Sequence, residues 1–399
     1  MNPPPAPPRL DTDALIDDRR TRIIVCCGSG GVGKTTAAAA LGLRAAERGR
    51  HVVVLTVDPA RRLAQSMGLT YLDNIPRPVD ADFASGGSLH AMMLDMKRTF
   101  DEIVEAHADP DRAAQILANP FYQSLSSSFA GTQEYMAMEK LGQLHRTDEW
   151  DLIVVDTPPS RSALDFLDAP QRLGRFLDGK LIRLLTAPAS PGRAYMKVLN
   201  AGFSIVTGTL TKVLGAQVLK DMQTFVTAFD TMFGGFRERA ETTYRLLQTP
   251  GTAFIVVAAP EPDALREAAY FVERLAGERM PLAGLILNRV HIPVATRLSA
   301  ARSLAAAETL ESHETGNGAG PETDSVTGEP PRYTLAAGVL RLHAERMQLA
   351  ARERRVAEHF TAAHPTVPVT QVVAQPEDVH DLEGLRTIGS SLASEPGFG

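Results

Sequence analysis

Nine consecutive residues, Gly28-Ser-Gly-Gly-Val-Gly-Lys-Thr-Thr36, carry the most specific chemistry in this chain. Glycines let the backbone curl so that successive N–H groups point at phosphate oxygens, and a helix that follows directly offers its positive dipole end to the same anion. In such a loop Gly30, Gly31, Val32 and Gly33 contribute backbone donors. Lys34 reaches the β- and γ-phosphates, and the Thr35 hydroxyl ligates Mg²⁺. The glycines alone, Gly28-x-Gly30-x-x-Gly33, also satisfy a dinucleotide-binding fingerprint. A Lys-Thr pair at the helix entrance has no task in holding a dinucleotide pyrophosphate, so the full string favours a nucleoside triphosphate with Mg²⁺.

Two aspartates stand at the ends of apolar runs. Asp156 closes Asp151-Leu-Ile-Val-Val-Asp and precedes Thr-Pro-Pro, the position from which an acid supports Mg²⁺ through a water. Asp58, in Val-Asp-Pro-Ala, has two readings. It orients the attacking water, because phosphoryl transfer needs mainly positioning and charge stabilisation, or it starts a turn or caps a helix as aspartates before proline often do. Its distance of 25 positions from Gly33 also mimics a ribose-binding acid, but that reading leaves Lys34 and Asp156 without a task.

The elements that must hold these residues are short β-branched runs alternating with helical patterns: Arg22–Cys27, His51–Val57, Leu89–Leu94, Asp151–Asp156, Ala253–Ala258, Ala283–Asn288 and Val367–Val373. Strands this apolar are buried on both faces. Separated by helices, they predict an α/β fold, a mostly parallel sheet covered on both sides, with ligands at the carboxyl ends of the strands. Two long helical stretches, about 95–150 and 169–249, interrupt the rhythm and predict a helical subdomain above the site. In the second, Met222, Phe225, Val226, Phe229, Met232 and Phe233 recur at helical spacing. That stripe packs into the subdomain's own core or forms a surface for an apolar partner. The Gly-rich stretch 201–215 beside it reads as a poor rigid helix.

Composition narrows the class. Of 399 residues 44% are hydrophobic and 22% charged, and the net charge of −6 offers no electrostatic footprint for nucleic acid. Cys26 and Cys27 are adjacent and are the only cysteines, so one chain can build neither a disulfide framework nor a CxxC metal site, as suits a reducing cytosol. Residues 1–18 carry five prolines and Asp11, Asp13, Asp17 and Asp18, and read as a disordered arm rather than a signal peptide. No run approaches the 18 apolar residues of a membrane span. A cytoplasmic protein, at most peripherally associated with membranes, is expected. Residues 308–332 read as a surface insertion and 394–399 as a tail, leaving one domain over 19–393.

The phosphate loop, Asp58-Pro-Ala, Asp156-Thr-Pro-Pro, Asn119-Pro-Phe-Tyr and Gln133-Glu-Tyr-Met-Ala-Met-Glu-Lys together resemble the anion-transporting ATPase family, from about Arg22 to the C-terminal strand. That family includes the arsenite-pump ATPase and the ATPase that targets tail-anchored membrane proteins. The resemblance implies a P-loop ATPase with a deviant Walker A motif that works as a nucleotide-closed dimer. Lys34, Thr35 and Thr36 would contact phosphate and Mg²⁺, Asp58 would be the acid of switch I, and Asp156 would open switch II. Asn288, in Gly284-Leu-Ile-Leu-Asn-Arg, resembles the family's adenine-reading asparagine. The segments around Pro368 and Pro376-Glu377 resemble the loop that covers the base.

The departures are equally specific. Ser29 stands where the family's signature lysine crosses to the partner's nucleotide. Charges supplied across an interface are worth about 10³–10⁵ in rate. Either the chain pairs with a related ATPase that retains the lysine, the preferred arrangement over a homodimer, or Arg61 or Arg62 replaces the charge. Position 61 is usually histidine in the family, and Ser160-Arg161-Ser162 lacks the switch II histidine. Without CxxC there is no intersubunit zinc clasp, and without cysteine triads no metalloid site. A nucleotide-driven switch acting on an apolar or membrane-protein client is expected, with a weakly active regulatory subunit as the alternative. A small-molecule kinase would show a cluster of lid arginines, and none is apparent.

Overall fold

The computed structural model describes residues 7–57, 62–120, 122–123, 126, 132–158, 238–293, 295–316 and 332–393. Its sheet contains β1 (Ile23–Cys27), β2 (His51–Thr56), β3 (Arg77–Pro78), β4 (Ser88–Met93), β5 (Leu152–Asp156), β6 (Thr252–Ala258), β7 (Leu282–Val290) and β8 (Val369–Val373). The strand order is β3-β4-β2-β5-β1-β6-β7-β8, parallel throughout except for the two-residue edge pair β3–β4. Seven strands arise from the apolar runs, and the short β3 has no such run to announce it.

Alternation sorts the strand residues onto two faces. Ile23, Val25, Cys27, Val53, Leu55, Ile153, Val155 and Val256 bury one face under α4 (Met96–His107), α5 (Pro110–Leu117), α6 (Thr132–Thr147) and α7 (Pro262–Gly277). Ile24, Cys26, Val52, Val54, Leu152, Val154, Ile255 and Val257 bury the other under α2 (Lys34–Glu47), α3 (Arg62–Ser66) and α10 (Leu382–Ala393). With both faces dry, the two cysteines behave as small apolar side chains. Burial pushes the Cys27 thiol up to about 12, and burial followed by the nearby Asp156 charge pushes Cys26 well above its ordinary value.

Local signals start the helices where the sequence suggests. Asp95 caps α4 by accepting from the Arg98 N–H at 2.9 Å, and Asp109 caps α5 by accepting from Arg112 at 3.0 Å, with Pro110 at the first helical position. These helices and α6 lie within the expected stretch 95–150. Of the second stretch, residues 238–247 are helical, while the Met222–Phe233 stripe and residues 201–215 lie outside the described residues.

Two expectations require correction. Residues 7–18 do not form a disordered arm. Pro8 and Leu10 pair with Val369 along the edge of β8, and α1 (Thr12–Asp17) packs against α2 and α10 through the fully buried Ile16. Asp13 accepts from Arg44 at 2.5 and 2.6 Å and Asp17 pairs with Arg48, so the acids that read as solvating charges are ion-paired to α2. The buried Arg50 completes the attachment by donating to the carbonyls of Ile16 (2.8 Å), Thr21 (2.6 Å) and Asp151 (2.5 Å). Likewise, residues 308–316 belong to α8 (Ala300–Gly316), which forms a hairpin with α9 (Arg332–Ala363). Glu311 accepts there from Arg341 at 2.9 and 2.7 Å.

Among the described residues, no helix is long and apolar enough to cross a membrane.

Candidate nucleotide site

β1 lies at the centre of the sheet, between β5 and β6. From it the chain passes to β2 on one side and later returns through β6 on the other, so the loop after Cys27 occupies a topological switch point, where open α/β sheets hold their ligands. Residues 28–33 span from the carboxyl end of β1 to the N-terminus of α2. Gly30 and Gly31 are exposed and Val32 is buried. Gly28 has no room for a side chain, since a Cβ there would overlap the Val257 carbonyl oxygen. Gly33 caps α2 with φ +91°, and its carbonyl accepts the first helical bond, from Ala37 N–H at 2.9 Å.

The loop has a floor. Asn288, near the carboxyl end of β7, donates its side-chain N–H to the Val32 carbonyl at 2.8 Å, and a Cβ on Gly33 would collide with that same amide. β7 is itself anchored beyond Asn288: the His291 N–H donates to Glu353 Oε2 at 2.8 Å, and its ring Nδ1 lies 2.7 Å from Oε1. Gly33→Ala combines a left-handed backbone with this overlap. Strain of about 1–3 kcal/mol is expected, read as a lowered melting temperature together with lost nucleotide binding. Wild-type values on both measurements would show that the turn does not depend on glycine.

The side chains of Thr35, Thr56 and Asp156 meet beneath the loop, next to Lys34 at the start of α2. Lys34 is buried and its Nζ donates to the Ser29 carbonyl at 2.8 Å, which ties the ammonium back across the loop. The Thr35 hydroxyl donates to Asp156 Oδ2 at 2.7 Å. Asp156 is fully buried, and the same oxygen accepts from Thr56 at 2.9 Å. A hydroxyl and a carboxylate in contact at the N-terminus of α2 form a hard-oxygen pair that suits Mg²⁺, and the open backbone glycines beside it suit a polyphosphate. The residues present therefore fit both groups. Thr35 would hold the cation directly, Asp156 would hold it through a water, and Thr36, half-buried in the first turn of α2, would contact phosphate.

The remaining predicted residues divide. Asp58 and Arg61 lie outside the described residues, although Val57 N–H donates to the Asp156 carbonyl at 3.1 Å and brings the chain leading to them against β5. Arg62 is exposed at the start of α3, and Ser29 is half-buried. Glu377 is exposed just past the carboxyl end of β8, at the edge of the sheet that carries the loop. Pro368 is a correction: it precedes β8, and its carbonyl accepts from Leu285 N–H at 2.7 Å. With Leu285 paired to Val369, Pro368 sits roughly 13 Å from the level of Asn288, at about 3.3 Å per residue along parallel strands. It belongs to the amino end of the sheet, opposite the phosphate loop.

Sequence reasoning passed over Thr56 and Thr157. Thr157 donates from its hydroxyl to the Cys26 carbonyl at 2.9 Å, pinning the residue after Asp156 to β1. The signal was present in each case: a single hydroxyl inside or directly after an otherwise aliphatic strand needs a buried acceptor. In the Gln133–Lys140 motif Tyr135 to Met138 are buried in the helical layer. There Glu139 accepts from Arg239 at 3.0 Å and Lys140 donates to Glu102 at 2.9 Å.

A family model described as anion-transporting ATPase matches residues 21–311. The chain belongs to that family. The match runs from β1 into α8 and leaves α9, β8 and Glu377 beyond it. ATPase GET3 of Malassezia globosa is 25% identical over 288 residues, 72% of this chain and 77% of the relative. ATPase GET3 of Chaetomium globosum is 24% identical over 282 residues, 70% and 76% of the two chains. The ATPase ASNA1 homolog of Cryptosporidium parvum is 26% identical over 270 residues, 67% and 64%. Membership of this family, with the phosphate loop and Asp156 in place, makes the chain an ATP-binding P-loop ATPase.

Proposed function

We propose that this ATPase is a Mg²⁺-dependent, nucleotide-driven dimeric switch that couples hydrolysis to binding and release of an apolar partner. The observation that carries the reading is the contact of Thr35 with Asp156 at the entrance of α2, beside the buried Lys34. In hydrolysis, water adds to the γ-phosphorus as the bond to the bridging oxygen breaks, giving ADP and phosphate. Asp58 orients that water, Lys34 and the N–H groups of residues 30–33 stabilise the charge on the phosphoryl oxygens, and Asn288 reads the base beneath the segment that includes Glu377. Thr35 and, through a water, Asp156 would hold Mg²⁺, which would supply charge neutralisation to the phosphates. The resemblance of its motifs to a family that includes the ATPase targeting tail-anchored membrane proteins supports a membrane-protein segment as the client and a peripheral relation to membranes.

A second reading rests on Ser29. A chain with Ser29 delivers no cation to a partner's nucleotide, so a homodimer lacks that charge at both sites, and the chain is then a weakly active, nucleotide-loaded regulatory subunit of a hetero-oligomer with a related ATPase that supplies the lysine.

The test is steady-state ATP hydrolysis by the purified chain with Mg²⁺ or EDTA, combined with its mass by light scattering in ADP and in a non-hydrolysable ATP analogue. Mg²⁺-dependent turnover and a dimer specific to the analogue are expected. Tight ATP binding with no turnover and no dimer transfers the case to the regulatory reading, and no nucleotide binding at all ends both.

A further inference from the structure

Thr56 is the single hydroxyl in a strand otherwise made of His51, Val52, Val53, Val54 and Leu55. It is 1% exposed, and its hydroxyl donates to Asp156 Oδ2 at 2.9 Å. The parallel register sets Thr56 opposite Asp156, and the next residue, Val57, donates its N–H to the Asp156 carbonyl. The side chain and the backbone at the end of β2 are thus both engaged with one residue of β5.

The shared oxygen gives this contact its meaning. Asp156 Oδ2 accepts from Thr35 on α2 and from Thr56 on β2. The torsion that turns a carboxylate about its own axis is broad and two-fold, so a single donor leaves its plane loosely set, while two donors from different elements fix it. Thr35 is also the hydroxyl whose oxygen would face the cation, so the geometry of the Thr35–Asp156 pair decides how well the cation is held. Partners that orient metal-binding groups from behind commonly contribute about 10- to 100-fold to metal affinity.

We infer that Thr56 is a positioning residue for the Mg²⁺ site: by fixing the Asp156 carboxylate from β2, it sets the cation dependence of nucleotide binding, and it links that carboxylate to the strand leading to Asp58. This rests on the nucleotide-switch reading above. A hydroxyl that merely satisfied its own burial would affect stability and leave the cation dependence alone.

The experiment is a titration of a fluorescent ATP analogue into the full chain, with Mg²⁺ and with EDTA, for wild type, Thr56→Val, Thr56→Ala and Thr56→Ser, each checked by thermal melting. Valine keeps the volume and removes the hydroxyl, and serine keeps the hydroxyl. The wild type is expected to bind more tightly with Mg²⁺. The valine and alanine variants should lose about tenfold or more of that gain while their affinity in EDTA stays within about threefold, and serine should retain the gain. Should valine fail to fold, the alanine and serine pair decides. A full Mg²⁺ gain in the variants that lack the hydroxyl overturns the role of Thr56 alone, as does an equal loss in EDTA. A wild type that binds no better with Mg²⁺ than with EDTA overturns the switch reading and this inference together.

Discussion

Lys34→Ala will bind ATP about 10- to 100-fold more weakly than the wild type, from the roughly 1.5–3 kcal/mol of a charged hydrogen bond, and its turnover at saturating ATP will fall by a further 10²–10³, about the effect of removing one transition-state donor. The structure supports a large effect because the Lys34 ammonium is buried, and its bond to the Ser29 carbonyl already holds it at the loop. Alanine keeps the helix propensity of the first turn of α2, so the fold should survive with a melting temperature near wild type. Calorimetric affinities with phosphate-release rates under excess ATP separate the two contributions. A variant with normal affinity and normal turnover would remove Lys34 from the phosphate site and return the loop to the dinucleotide alternative.

The second large effect runs in the opposite direction. Ser29→Lys should raise turnover by at least about tenfold, a small part of the ~10³–10⁵ that a charge delivered across an interface contributes to phosphoryl transfer. The position tolerates the change: the bond from Lys34 uses the Ser29 backbone carbonyl, which any side chain preserves, and Ser29 is half-buried rather than enclosed. Because the new cation acts on the partner's nucleotide, the gain should grow with protein concentration through the range in which dimers form. Turnover measured against concentration, beside sedimentation in the same buffer, provides the check. An unchanged rate in a protein that does dimerise means the charge already arrives from elsewhere, and Arg61→Ala and Arg62→Ala then identify the source or leave it to a different chain.

How far the sequence reached depends on the range of each signal. The strand runs carried their own assignment because a strand buried on both faces must be continuously apolar, and β1, β2 and β4 to β8 follow those runs to within a few residues. The two-residue β3 has no hydrophobic pattern and exists only because β4 offers it an edge. α1 was illegible for a related reason. Leu10 and Ile16 are too few to announce a helix, and its acids find Arg44 and Arg48 only once α2 has been placed beside it. Pro368 was misassigned because its nearness in sequence to the segment after β8 hid the strand that runs between them.

By itself the sequence determined the phosphate loop, the P-loop α/β class and the acid at the end of β5. Those features rest on short-range rules: glycine conformations, a helix N-terminus, and apolar runs that must be buried. Only the tertiary structure decided that Asn288 supports Val32, that Glu353 holds the end of β7, and that Thr35 and Thr56 share one oxygen of Asp156. Each of these contacts joins residues tens to hundreds of positions apart. Their partners are chosen by strand order and register, which follow from the packing of the whole sheet and leave no mark in the neighbouring residues.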